Sequence, residues 1–262
     1  MNFKEINLTN VIPGTKSFSR NIDILQLIAD AHVPPKLAEL LEKSGLTRPT
    51  LYRVLAALEA EELIVQNPDK SYVPGIRLIT LARIALAGND IIQIARPELE
   101  RLGELTAETV HLGVRSKDEM VIADKIESRD TVRMASMVGM RFPIHTTGLG
   151  KAYLIGLPVE QAEEFIEGRS LEKVTQYTTT NPELFKQKLS DGRAQGYIID
   201  DQENEEGIVC YGSPIFDATG KTLASVSVTT PSFRLKDDRN HYIKPLLKCA
   251  VEISAKLGFR GN

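Results

Sequence analysis

The sequence predicts an α+β chain of two domains: a winged helix-turn-helix head, a linker helix, and a larger domain built on an antiparallel sheet. Three observations predict it. Residues 44–64 carry an apolar helical face backed by cations and hydroxyls. Residues 76–87 are apolar on most sides. After residue 108 the apolar period changes from that of a helix to that of a strand.

At 262 residues the chain has room for two domains. A hydrophobic fraction of 42% and a charged fraction of 26% describe an ordinary soluble globular protein. The net charge of −3 carries no nucleic-acid signature for the chain as a whole, so any basic surface is local. No apolar run reaches membrane-spanning length, and the first residues lack a signal-peptide core, which points to the cytoplasm. Cys210 and Cys249 stand alone and make neither a disulfide framework nor a zinc knuckle. No cofactor or metal is expected.

Residues 1–13 are polar and aperiodic and read as a flexible N-terminus. The head is placed at 14–75. Ser17 or Ser19 can cap a first helix carrying Ile22, Ile24, Leu25, Leu27 and Ile28, broken at His32-Val33-Pro34-Pro35. A short second helix follows, with Leu37, Ala38, Leu40 and Leu41 buried. Gly45 ends it, because a left-handed residue is cheap only for glycine. Thr47 suits the N-cap of the third helix, with Pro49 in its first turn. Leu51, Val54, Leu55 and Leu58 form one apolar face. Thr47, Arg48, Thr50, Tyr52 and Arg53 fall off that face, with no acid between Ser44 and Leu58. Such a helix suits a DNA major groove: arginines for phosphate or guanine, hydroxyls for phosphate or base edges. An ordinary amphipathic surface helix is the alternative for this stretch alone.

Leu63 to Gln66 and Ser71 to Pro74, joined by Asn67-Pro68-Asp69-Lys70, read as a hairpin, the wing of a winged helix. Lys70 at its tip can meet the backbone of an adjacent minor groove. Arg20, on the first helix, completes the set of DNA-contact candidates. Residues 1–75 nonetheless hold eight Lys and Arg against nine Asp and Glu. Their positive charge must cluster by folding, and affinity for double-stranded operator DNA is expected to need a dimer or tetramer.

The linker is placed at 76–90. Ile79, Leu81, Ile84 and Leu86 are too many apolar residues for a solvated segment, so this helix is expected to pack against a second copy. Gly88-Asn89-Asp90 is the joint. The second domain is placed at 91–260. It opens with a helix from Ile91 to about Leu105, which Asp90 can cap and Pro97 can kink. Strands follow at 109–114, 120–126 and 132–135, and helices at 148–156, 159–168 and 183–196. Strands at 197–200, 208–215 and 222–229, with a turn at 216–221, precede a final helix from about Asp237 to Leu257. Strands covered by helices in mixed order give an α+β domain.

Three separated motifs, in order, carry a resemblance. They are Thr-Arg-Pro-Thr-Leu-Tyr-Arg-Val-Leu-Ala-Ala-Leu-Glu at 47–59, Phe-Pro-Ile-His-Thr-Thr-Gly-Leu-Gly-Lys-Ala at 142–152, and Asp-Gln-Glu-Asn-Glu-Glu-Gly-Ile-Val-Cys at 201–210 followed by Ser-Pro-Ile-Phe-Asp. Over nearly its whole length the chain resembles the IclR family of bacterial transcriptional regulators. Residues 108–113 and 139–143 look like the branch near regulators of sugar-acid catabolism. The resemblance implies a winged-helix head, a linker helix and a GAF-like effector domain. It also implies a dimer, often paired into a tetramer, on a partly palindromic operator.

Carried over position by position, the resemblance implies a ligand pocket. Its members are Gly148 and Leu149 at a loop-to-helix junction, Asp200 before the acidic loop, Cys210 after it, and Ser227 and Thr229 on the last strand. Met134, Phe142 and Ile208 are apolar walls. Leu149 stands where related proteins carry a smaller residue, and Thr229 where serine is also found, so the ligand does not transfer.

The chemistry of these positions agrees. Thr146-Thr147-Gly148-Leu149 opens a helix whose free N–H groups and dipole suit a carboxylate. Ser227 and Thr229 share one strand face and can hydrogen-bond hydroxyls of a sugar acid. Cys210 offers a weak S–H donor or a polarisable wall. Asp200, acceptor-only when ionised, suits a ligand hydroxyl. Each has a structural alternative: tight packing for Gly148 and Gly150, core for Cys210, filler for Ser227 and Thr229, a brace of the 201–206 loop for Asp200. That acidic loop is assigned no role. His111 and His145 read as structural. Arg141 either neutralises an acid effector or is simply exposed.

The expected function is a DNA-binding regulator, a repressor, controlled by a small carboxylate such as a sugar acid or keto acid. An activator of the same design is the alternative. Cys210, His145 and Asp200 have the residue types of a thiol-hydrolase triad, but no nucleophile motif flanks the cysteine. A winged helix used for protein contacts is the third reading.

Overall fold

The computed structural model describes residues 15–87, 90–132, 134–167 and 169–260. The expected flexible stretch 1–13 and the Gly88-Asn89 part of the joint lie outside them. The chain divides into two compact units that part between residues 88 and 89.

The first unit is α1 (Lys16–Ala29), α2 (Leu37–Ser44), α3 (Arg48–Ala60), the antiparallel pair β1 (Ile64–Gln66) and β2 (Tyr72–Pro74), and α4 (Ile76–Ala87). Thr15, not Ser17 or Ser19, is the N-cap residue of α1. Gly45 takes φ +63° after α2, and its N–H reaches the Leu41 carbonyl at 3.1 Å. Ile24, Ile28, Leu40, Leu51, Val54, Leu55, Leu58, Ile64 and Tyr72 form one core. The 3.6-residue period of α3 thus faces inward as a single stripe. Ala38, expected in the core, is exposed, and Ile22 is 42% exposed.

The second unit opens with α5 (Asp90–Thr106), which continues through Pro97. Then come β3 (Thr109–Ser116), β4 (Glu119–Ile126), β5 (Arg141–Pro143), α6 (Gly148–Gly156), α7 (Val159–Ile166), α8 (Pro182–Gln195), β6 (Ile198–Asp201), β7 (Ile208–Phe216), β8 (Thr222–Pro231) and α9 (Asn240–Lys256). The six strands make one antiparallel sheet in the order β5-β4-β3-β8-β7-β6. The strand expected at 132–135 is not there: its described residues are loop, and Arg141–Pro143 is the edge strand instead. Val132 is 52% exposed, so apolar content alone misread an exposed segment as sheet.

Alternation along the strands gives the sheet two unlike faces. Val110, Leu112, Val209, Tyr211, Val226 and Val228 join α5 and α9 in one core. The opposite face meets α6, and its residues there are small or polar: Gly113, Cys210, Gly212, Ser225 and Thr229. A Cβ on Gly212 would lie 2.1 Å from the Gly148 carbonyl oxygen, so glycine is what lets α6 lie flat on β7.

Candidate functional site

On α3, Thr47, Arg48, Tyr52 and Arg53 are exposed and Thr50 is half-buried, opposite the buried stripe. Thr47 is the N-cap residue, but its hydroxyl pairs with that of Thr50 at 2.9 Å instead of capping an amide. The Arg48 guanidinium lies 5.9 Å from the centre of the Tyr52 ring, a cation–π distance. Lys70 is exposed at the tip of the wing with φ +67°, and Arg20 is half-buried on α1.

In the second unit, strand register draws the effector candidates into one row. Asp200 on β6 opposes Cys210 on β7, and Cys210 opposes Thr229 on β8. The Cys210 Sγ and Thr229 Oγ1 are 3.3 Å apart. A Cβ on Gly148 would lie 2.8 Å from the Cys210 Cβ, so the first turn of α6 rests on this row. Thr147 caps α6 by accepting the Gly150 N–H at 3.0 Å. The Gly148 and Leu149 amides, in the first turn, have no partner within the helix. Ser227, one residue pair along, opposes Gly212 and His111 and is buried.

The remaining candidates sit around this row. Ile208, half-buried, shares the Cys210 face of β7. Phe142 on β5 opposes Met120 and packs on the apolar cluster containing Leu149. Leu149 is therefore core by its side chain. Met134 is not on a strand: it lies in the loop after β4, with its carbonyl oxygen 3.0 Å from the Lys125 Nζ.

The Asp200 carboxylate accepts the backbone N–H of Glu203 at 2.8 Å and that of Asn204 at 3.4 Å, so it braces the acidic loop. Burial pushes its pKa up to about 6, against the opposing pull of Lys151. Burial also raises the Cys210 thiol, with the Asp200 charge adding to it. No thiol-hydrolase triad forms. The His145 Nε2 pairs with the Glu172 carbonyl at 3.0 Å, and the Cys210 thiol is held protonated rather than activated. Arg141 is exposed at the sheet edge and pairs with Glu119 at 2.6 Å, so it is not the partner of an acid in this row.

The acidic loop has a role the sequence reading missed. Glu203 is buried and ion-paired with Lys151, whose side chain is fully buried. Lys151 also donates to the Ile199 carbonyl at 2.8 Å, while Glu203 accepts the Thr179 amide at 3.1 Å. The signal was present: α6 is apolar except for one lysine, and a lone charge in such a helix needs a buried partner.

Residues 17–68 match the IclR helix-turn-helix domain, and residues 84–255 match the bacterial transcriptional regulator IclR C-terminal domain. The chain belongs to the IclR family of bacterial transcriptional regulators. This IclR-family chain is 32% identical to the HTH-type transcriptional regulator KdgR of Escherichia coli strain K12 over 225 residues, covering 85% of this chain and 86% of that protein. It is 28% identical to the transcriptional repressor IclR of the same strain, over 93% of this chain and 90% of that protein. The crystal structure of the Thermotoga maritima IclR superposes with a TM-score of 0.79 at 32% identity, covering 93% of this chain and 99% of that one. As an IclR regulator, the chain uses its winged-helix head on DNA. Among the described residues, no helix is long and apolar enough to cross a membrane.

Proposed function

We propose that the chain is a repressor whose grip on operator DNA is set by a small carboxylate, such as a sugar acid or keto acid, bound in the second unit. One observation carries the reading. The first turn of α6, Cys210 and Thr229 converge, with Gly148 against Cys210 and the Thr229 hydroxyl 3.3 Å from its sulfur. Two amides at a helix N-terminus supply donors and positive potential to an oxyanion, and hydroxyls beside them serve the rest of the ligand. A repressor among the relatives supports the sign of regulation.

On the DNA side, Arg48, Tyr52 and Arg53 read the major groove, with Thr47 and Thr50 on phosphate and Lys70 at the wing. The linker helix exposes Ile76, Ile79, Leu81 and Ile84, an apolar face that a second copy covers. The effector acts by differential affinity for two spacings of the paired heads. Mobility-shift titration against the DNA upstream of the protein's own gene, with and without pyruvate or gluconate, tests the reading. A specific duplex retarded at modest salt and released by an acid is expected. If no duplex is retarded, or if retardation ignores every acid offered, the reading is wrong.

A further inference from the structure

His111 projects from β3 onto the face that carries Thr229, and the residue is 5% exposed. Its Nδ1 lies 3.3 Å from the Thr229 Oγ1, and its Nε2 lies 2.8 Å from the Ser136 Oγ. With the Cys210 contact, four groups form one hydrogen-bonded chain: Cys210, Thr229, His111, Ser136. Three of them are not needed to hold the sheet together, since backbone pairing already does that.

We propose that His111 is a specificity-determining residue of the effector site, its tautomer deciding whether Thr229 presents a proton or a lone pair to the ligand. A neutral imidazole donates at one nitrogen and accepts at the other, so the chain has two polarities. Without ligand, the Thr229 hydroxyl chooses between the Nδ1 lone pair and the Cys210 sulfur. Nitrogen is the better acceptor, so Thr229 donates to Nδ1, and Nε2–H donates to Ser136. An oxyanion on the α6 amides changes the choice, because a hydrogen bond to a charged acceptor is about twice as strong as a neutral one. Thr229 then turns its proton to the ligand, and Nδ1–H donates to the Thr229 oxygen behind it. Ser136 donates to the bared Nε2. The exchange runs through the two hydroxyls with water as co-reactant: Thr229 passes its proton to Nδ1 and takes another from water entering with the ligand, while Nε2 releases its proton to water by way of the half-buried Ser136, so the imidazole stays neutral and no charge is created.

The surroundings fit this role. Burial and the facing Lys125 push the His111 pKa down to about 3, which removes the doubly donating imidazolium that would block the choice. Lys125, the register partner of His111, donates to the carbonyls of Met134 at 3.0 Å and Ser136 at 2.6 Å, which fixes the loop bearing the far end of the chain. A neutral polyol supplies its own donors and leaves the tautomer unchanged. The site therefore distinguishes acids from uncharged sugars of the same shape.

The inference rests on the effector reading above, and the test separates the two. Long-range proton–nitrogen NMR of the full-length, nitrogen-15-labelled protein reports which imidazole nitrogen of His111 is protonated, with His111→Asn identifying its signals. Pyruvate, glyoxylate and gluconate are titrated, with glycerol as the uncharged control, and binding is followed separately by thermal midpoint. A bound acid is expected to move the proton from Nε2 to Nδ1, glycerol to leave it in place, and Thr229→Val to abolish the change. If an acid raises the midpoint and Thr229→Val weakens it, yet the same nitrogen stays protonated throughout, His111 is only structural and the effector site stands without it. If none of the three acids raises the midpoint, the acid site and the role of His111 fall together.

Discussion

Lys151 and Glu203 face each other as an ion pair inside the second unit, their side chains 0% and 3% exposed. Two charges this deeply buried are tolerated only because each is satisfied by further hydrogen bonds, to the Ile199 carbonyl on one side and the Thr179 amide on the other. Removing one partner strands the other. Lys151→Met is expected to destabilise the second unit by about 3–5 kcal/mol, softened by Lys188, whose Nζ lies 3.3 Å from the same carboxylate. Adding Glu203→Leu to it should restore part of the loss. Urea midpoints of the single and double variants measure both effects, and equal damage in the two would refute the pairing.

The exposed side of α3, proposed to face DNA, gives a separate expectation. Arg53→Ala removes an exposed cation without touching the buried stripe, so it should leave thermal stability and self-association unchanged. Operator affinity should fall about tenfold, equivalent to roughly 1.4 kcal/mol. A phosphate contact would also lower the salt slope by about one, whereas a base contact would relax sequence preference. Binding isotherms at several salt concentrations distinguish these.

Asp200 predicts a pH dependence. Its folded pKa is about 6 against an ordinary value of 3.8, so between those values the folded state holds more proton than the unfolded state. Stability contributed by this group is present at low pH and is lost as pH rises through that window. Asp200→Asn keeps an oxygen to accept the Glu203 amide but cannot ionise. The variant is expected to gain on the wild type from pH 4 to pH 7, by up to about 3 kcal/mol. Thermal melts of both proteins across that range check the sign, and a constant difference would overturn it.

Two glycines should fail for different reasons. Gly45→Ala adds a methyl to open space, with nothing within 4 Å, and strains only the φ of +63°. About 1 kcal/mol of stability should be lost. Gly212→Ala drives its Cβ into the Gly148 carbonyl and lifts α6 from β7. Its loss should exceed about 3 kcal/mol and abolish any acid-induced rise in thermal midpoint. Parallel melts separate backbone strain from lost packing.

On the linker helix, Ile79 and Ile84 are 66% and 58% exposed in the single chain. Replacing both with glutamate should leave the two cores intact while lowering the mass seen by sedimentation, because the substitution charges the face proposed to meet a second copy. An unchanged mass would move the self-association surface elsewhere.

The head was legible because each device there is local: a glycine turn, a capping position, a four-residue apolar stripe. The same was true of the β7–β8 hairpin, whose turn residues announce it. The edge strand at Arg141–Pro143 was not legible, since three residues carry no period, and the more apolar 132–135 drew the assignment instead. Lys151 showed as a lone charge in an apolar helix, but that Glu203 is its partner, and that His111 meets Thr229, was invisible for another reason. The partners are 52 and 118 residues apart, and only strand register and the seat of α6 bring them together.

The central pairing of the sheet has a consequence for how the chain is made. Thr109 and Thr229 are register partners, so β3 waits for about 120 further residues before its neighbour β8 leaves the ribosome. At roughly 5–20 residues per second, the β3–β4 hairpin spends on the order of ten seconds with an open edge. The head is a separate compact unit ending by residue 88, so its chain is complete well before β8 is made, and N-terminal domains generally fold first during synthesis. Nascent chains arrested between residues 130 and 200 should therefore be where chaperone occupancy peaks.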